Sequence, residues 1–330
     1  MPDSRGDARG AHSGARRRCI GPSREGLFDG RDRGRDTVSR HPVNLTSENT
    51  AIVLDSTSDF PEAKARERFD NIRVVPLHVL FGSEDILDHV GISGHDFYER
   101  LRSAPALPTT AQPKPGEFLR AYEDLARYDR IYSLHLSREL SGTYGSAVQA
   151  AGIFGADRVR LIDSETASLA VAMLALAIER RLARGTSDAE IEELIDRFKR
   201  DNGVVFTVGT LEYLQRGGRI GKAQALAGTL LSVKPILSVE SGVVVPVGRV
   251  RGRQKALAEF RRLFEEATED RPGLRVAIAH ADAPEWVEDV SALALESRPL
   301  AEIELVENLG AVVGTHAGPG SVGFFWFQDD

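Results

Sequence analysis

Hydroxyl side chains crowd around one glycine in residues 136–151, LSRELSGTYGSAVQAA. Ser141-Gly142-Thr143-Tyr144 places hydroxyls and backbone N–H groups where a helix should begin, with Ser141 opening it. A helix start carries about half a positive charge and unpaired N–H donors, so it suits an anion. It also suits a plain serine cap, and the stretch by itself leaves both readings open. The Lys-Ser/Thr ending of a P-loop is missing, and so is the Gly-x-Ser-x-Gly of a nucleophile elbow.

Five further stretches could meet it. In PTTAQPKP, prolines bracket Thr109 and Thr110 and fix where the hydroxyls point at little entropic cost. QRGGRIGK, residues 215–222, sets Arg216, Arg219 and Lys222 around glycines, as an anion grip or as a polar turn. GRVRGRQKA alternates Arg249, Arg251 and Arg253, which share a face if the strand runs that far. Three like charges in a row repel unless something acidic visits them. GTHAGPG sets His316 beside glycines that let backbone approach closely, and AHADAPE puts His280 at a strand end. No Cys/His cluster and no His-Glu-x-x-His occurs, so no metal is expected. The hydroxyls lack a basic partner at recognisable spacing, which argues against a serine hydrolase.

The elements that must position these groups alternate. TAIVLD reads as a buried strand, with Pro61 opening a helix beyond the DSTSD turn. NIRVVPLHVLF is strand-like, and SGHDFYERLRS is an amphipathic helix with Ser93 as its cap. Residues 108–118 read as a turn-rich loop whose prolines forbid regular pairing. Residues 117–127 read as a helix, DRIYSLHL and DRVRLIDS as strands, and the apolar AVAMLALAI as part of a helix buried on most faces. Alternating strands and helices predict a parallel sheet covered on both sides. Ligands bind such sheets at the carboxyl ends of the strands. DSTSD, SRELSGTYGS and DSETAS all follow strands, so three hydroxyl-rich loops should gather on one edge. Beyond residue 170 the pattern changes. KPILSVE, a Ser241-Gly242 turn and VVVPVGRV form a hairpin, followed by helices between further strands, which predicts α+β with a partly antiparallel sheet. The fold class is therefore α/β in two domains: a parallel-sheet domain over residues 50–170 and an α+β domain with a mixed sheet over residues 171–330.

Bulk properties bound the function. The chain has 330 residues, a net charge of −7 and 42% apolar residues, enough for two cores. The acidic balance gives no support to nucleic-acid binding, and the longest apolar run is far short of a membrane span. A single cysteine, Cys19, excludes an internal disulfide and suits a cytoplasmic chain. Residues 1–48 differ from the rest. The first forty hold ten arginines against six acids, a charge of +4 that leaves −11 for the remainder. This segment reads as a disordered Arg/Gly-rich tail, as an anchor for an acidic surface, or as upstream sequence translated from a misplaced start.

Together the stretches VLDSTSD, VVPLHVLFG, PTTAQP, HLSRELSGTYGSA, LIDSETAS, LEYLQRGGRIGKA, VKPILSVESGVVVPVGRVRGRQKAL, HADAPE and GTHAGPGSVG resemble the DegV family, in family order from about Thr50 to Phe327. The resemblance implies a lipid cavity in the C-terminal domain and binding of a long-chain fatty acid. It implies no catalysis by the chain itself and no cofactor. The acid would instead be presented to a separate ATP-binding fatty acid kinase subunit for acyl phosphate formation, with transient membrane contact for lipid exchange. It assigns the carboxylate to Thr110, Ser141 and Gly142 with His316 nearby, and makes Arg219, Arg249, Arg251 and His280 candidates for the head group or the kinase-facing surface. The family usually has serine after the second threonine; this chain has Ala111, one hydroxyl fewer. The other readings of these loops are a stand-alone enzyme acting on a small phosphorylated or carboxylated substrate, and a lipid reservoir or sensor without a kinase.

Overall fold

The computed structural model describes residues 44–60, 65, 67–226 and 233–329. Most of the Arg-rich segment with Cys19, the first turn of the helix expected at Pro61, and residues 227–232 lie outside the described residues. The first strand, β1 (Thr50–Asp55), is buried along its whole length. It lies between β2 (Ile72–Val75) and β6 (Arg130–His135), and β7 (Val159–Asp163) completes a four-stranded sheet of order β2-β1-β6-β7. All its pairings are parallel. A parallel sheet covered on both faces requires such near-continuous apolar strands. Ala51 and Val53 face α2 (Pro115–Asp124) and α3 (Thr143–Phe154), while Ile52 and Leu54 face α4 (Leu169–Leu182).

NIRVVPLHVLF does not form one strand. Pro76, which cannot donate to a ladder, separates β2 from β3 (His78–Phe81), and β3 joins a different sheet. That sheet is small and antiparallel, with β4 (Glu84–Leu87) on one side and β5 (Thr109–Ala111) on the other. The expectation that prolines bar pairing around Thr109 is thus overturned. Pro108 and Pro113 flank the three pairing residues instead of interrupting them, a tolerated place on an edge strand. Between β4 and β5 runs α1 (Gly94–Ser103), whose first turn is capped by Ser93 Oγ accepting from Asp96 N–H.

In α4 every residue except Arg180 is buried. Its buried charges are paired. Glu179 accepts from Ser47 Oγ at 2.6 Å and from Asn71 Nδ2 at 2.8 Å, and Arg181 reaches Asp329 at 2.6 Å. This helix separates the parallel sheet from a six-stranded mixed sheet, to which α5 (Asp188–Asp201) leads. That sheet has the order β10-β9-β8-β13-β11-β12. Its strands are β8 (Gly203–Thr207), β9 (Lys234–Glu240), β10 (Val243–Val250), β11 (Leu274–His280), β12 (Glu302–Asn308) and β13 (Val322–Gln328). Only β11 and β12 pair parallel. The β9–β10 turn holds Ser241 at φ 49° and Gly242 at φ 80°, the two positive angles a twisted two-residue hairpin needs.

Helices α7 (Arg253–Ala267) and α8 (Glu285–Ser297) cover the outer face of this sheet. The short α6 (Glu212–Arg216) and α9 (Ala311–Ala317) lie on the inner side. The three alternating arginines do not share a strand face. β10 ends at Val250, Gly252 turns the chain at φ 79°, and Arg253 opens α7, paired with Asp289 at 2.5 Å.

Candidate functional site

A cavity of about 340 Å³ opens between the carboxyl edge of the parallel sheet, β5, α9 and the inner face of the mixed sheet. Thr57 after β1, Ser141 after β6 and Ser168 after β7 all reach its wall, so the three hydroxyl-rich loops do meet at one edge. Leu77, Leu136, Val204, Phe206, Val312 and Phe325 are among its apolar walls. Its size lies within the range of small-molecule sites, roughly 300–1,000 Å³.

Polar groups gather on one side of it. Thr110 Oγ1 lies 2.9 Å from His316 Nε2. The other ring nitrogen, Nδ1, is buried without a partner. Burial, and after it the positive charge of Arg219, pushes His316 down to about 4, so the imidazole is neutral near pH 7. A neutral ring carries one N–H. If that proton sits on Nε2 and is donated to Thr110, the threonine hydroxyl is free to donate into the cavity. Ser141 Oγ accepts from Thr143 N–H at 3.3 Å and lies 2.8 Å from Thr143 Oγ1. With Thr143 donating, the Ser141 O–H also points its capacity at a ligand. The helix itself begins two residues later than expected, at Thr143, with Gly142 at the cap position and no side-chain cap bond.

Arg219 lines the same wall. It donates from Nε to Leu140 O at 2.9 Å and from Nη1 to Gly217 O at 2.6 Å. These bonds fix the guanidinium without neutralising it, since among the described residues no carboxylate pairs with it. Three of its five N–H donors remain. Two hydroxyls and one cation therefore converge where an apolar cavity begins, an arrangement suited to a single monoanionic head with a greasy tail.

Not every sequence candidate arrives there. Gly142 stands outside the wall, and a Cβ on it would fall 2.0 Å from Gln112 Oε1. His280 points to the outer face, because its neighbour Ala279 faces the cavity and successive strand residues alternate. Its Nδ1 accepts from Ala283 N–H at 3.3 Å, and burial lowers its pKa. Arg249 and Arg251 are exposed and absent from the wall, without an acidic partner among the described residues.

Sequence reasoning missed Gln112, which lines the cavity and donates to Ser146 Oγ at 3.0 Å. It also missed the clamp on α9, the helix that carries His316. Asp59 accepts from Gly310 N–H at 2.8 Å, and Asp88 accepts from Ala311 N–H at 2.7 Å and from Ser56 Oγ at 2.8 Å. No local pattern marks either aspartate, because each partners backbone more than two hundred residues away.

A family model described as "Uncharacterised protein, DegV family" matches residues 49–329. The chain belongs to the DegV family. The crystal structure of DegV, a fatty acid binding protein from Bacillus subtilis, is 35% identical at a TM-score of 0.75 and covers 84% of this chain and 99% of its own. A structure of a DegV family protein from Thermus thermophilus, described by its fatty acid binding, is 39% identical at a TM-score of 0.79, over 85% of this chain and 99% of its own. A fatty acid-binding protein of Thermotoga maritima is 34% identical over 282 residues, which are 83% of this chain and 96% of its own. The two solved structures share the parallel-sheet and mixed-sheet architecture, and all three relatives are described as fatty acid binders.

Proposed function

We propose that this chain binds a long-chain fatty acid as a carrier. Thr110, Ser141 and Arg219 hold the carboxylate, His316 orients Thr110, and the acyl chain fills the cavity. The observation that carries this reading is the pairing of two hydroxyls and a cation, without a carboxylate partner among the described residues, with a cavity whose walls are mostly apolar. Burial of a methylene contributes about 0.8 kcal/mol, so a long chain contributes on the order of 10 kcal/mol before ordering costs. Most of the affinity then comes from the tail, while the head sets orientation and adds a smaller share. In this reading the chain performs no chemistry itself. It presents the carboxylate to a separate ATP-dependent kinase subunit, which transfers a phosphoryl group to it, giving acyl phosphate and ADP. The exposed, unpaired Arg249 and Arg251 suit an acidic partner face, and lipid exchange at a membrane surface in the cytoplasm completes the cycle.

The test is organic extraction of the purified protein with mass spectrometry, then titration of the delipidated protein with fatty acid. Stoichiometric fatty acid is expected, and the double variant Thr110→Val, Ser141→Ala should bind at least tenfold more weakly. Lack of any fatty acid, or unchanged affinity in the double variant, overturns the respective half of the reading. Presentation is tested by supplying a kinase subunit and ATP: acyl phosphate should form only when both proteins are present.

A further inference from the structure

The inner face of β13 is uneven where it meets the cavity. Its inner-face residues are Gly323, Phe325 and Phe327, of which Gly323 and Phe325 line the cavity, while Val322, at the cavity edge, packs with Phe324 and Trp326 in the outer core beneath α7 and α8. Gly323 pairs with Phe206 on β8 and Ala279 on β11, so two of the three residues in that row are small. The next row pairs Phe325 with Val204 and Ala277. The Phe325 ring does not stand above its own row. It lies back over Gly323, and a Cβ placed on Gly323 would sit 2.9 Å from both Cε2 and Cζ of that ring. Folded over a bare glycine, the ring closes the cavity at Gly323 and leaves the space above it open.

We propose that Phe325, laid over Gly323, is the stop that sets how long an acyl chain the cavity accepts. The inference rests on the fatty-acid reading above and adds a length-selecting residue pair to it. The reason is steric. Any side chain at position 323 displaces the ring, since carbon atoms cannot approach within 3 Å. Three directions are closed to it. Along the strand Phe327 is fixed against Phe198, their ring centroids 4.9 Å apart. On the β8 side Val204 fills the paired position, and beneath lies the sheet backbone. The open space beside the ring is the cavity, whose wall it forms. The ring therefore rises into the cavity and takes volume from the acyl chain. Shortening Phe325 acts oppositely and opens volume at the same place.

Delipidated full-length protein, Gly323→Ala and Phe325→Leu, each checked for native circular dichroism, would be titrated with straight-chain saturated acids from dodecanoate to eicosanoate. The chain length of tightest binding should move down in Gly323→Ala and up in Phe325→Leu relative to the unsubstituted protein. Each methylene excluded should cost about fourfold in affinity, the equivalent of about 0.8 kcal/mol. If Gly323→Ala fails to fold, the upward shift in Phe325→Leu carries the test alone. Binding with an unmoved optimum overturns the length stop and leaves the carrier intact. Failure of the unsubstituted protein to bind any of the acids overturns the fatty-acid reading, and the stop with it.

Discussion

His316 sits in an environment far from that of solution. A histidine that titrates near 6.5 when free is pushed down to about 4 by burial and by Arg219. The proton balance of folding follows. As pH falls below about 6.5 the unfolded chain takes up a proton at this position, while the folded chain does not until about 4. Folding stability attributable to His316 is therefore complete above 6.5 and is lost progressively as pH falls toward 4. Urea midpoints measured at several pH values on the unsubstituted protein and on His316→Asn should diverge through this window, with the unsubstituted protein losing more on acidification. Parallel curves would show that the ring is not held neutral. The same neutrality suits the site, since an imidazolium would offer Thr110 a donor at the cost of a second cation beside the half-buried Arg219.

At the scale of elements, α9 shows what holds such a residue in place. The helix has only seven residues, too short to be stable by itself, and its first N–H groups are satisfied by carboxylates from elsewhere in the chain. Asp88 and Asp59 are both fully buried. Burial raises the Asp88 pKa. His89, its Nε2 3.7 Å from Asp59 Oδ1, is pushed up to about 9, because the two aspartates outweigh the opposing effect of burial. Asp88→Ala leaves Ala311 N–H and Ser56 O–H without their acceptor, at about 1–3 kcal/mol for each buried donor. The variant should lose roughly 2–5 kcal/mol of stability, exchange its 311–317 amides faster, and bind fatty acid more weakly as His316 loses its anchor. Unchanged exchange in that helix would remove the clamp from the argument. This part of the site was not legible in the sequence. The β–α alternation, the Ser93 cap and the Ser241-Gly242 hairpin could be read because their causes are local. The split of residues 71–81 into two sheets, the pairing of β5 and the aspartate clamp depend on tertiary neighbours, and ILDHV or PTTAQP contain no trace of them. The hydroxyl loops were readable because a parallel sheet sends every such loop to one edge, whereas the outward turn of His280 depended on strand register.

For the whole molecule, the cavity is where three sheets and a buried helix fail to close on each other. One continuous core runs from Leu45 through α4 to Phe327, and the cavity walls draw on both the parallel and the mixed sheet. A ligand there touches both layers, whereas the unfolded chain has no cavity with which to bind it. Stability is then linked to occupancy through the ratio of free ligand to Kd, giving about 2.7 kcal/mol at a hundredfold excess over Kd. For a chain of this size that is a rise of roughly 5 °C in unfolding temperature. The rise should be seen when fatty acid is returned to delipidated protein, and should grow by about half that step with each further tenfold in ligand. Protection should appear on both sides of the cavity, in hydrogen exchange of α3 as well as β13. Because Thr110 and Ser141 belong to one half of the chain and Arg219 and His316 to the other, a ligand that bridged them would tighten both. If protection is confined to residues beyond 170, the tail is bound without the head-group loops, and the carboxylate is not held where Thr110, Ser141 and Arg219 meet.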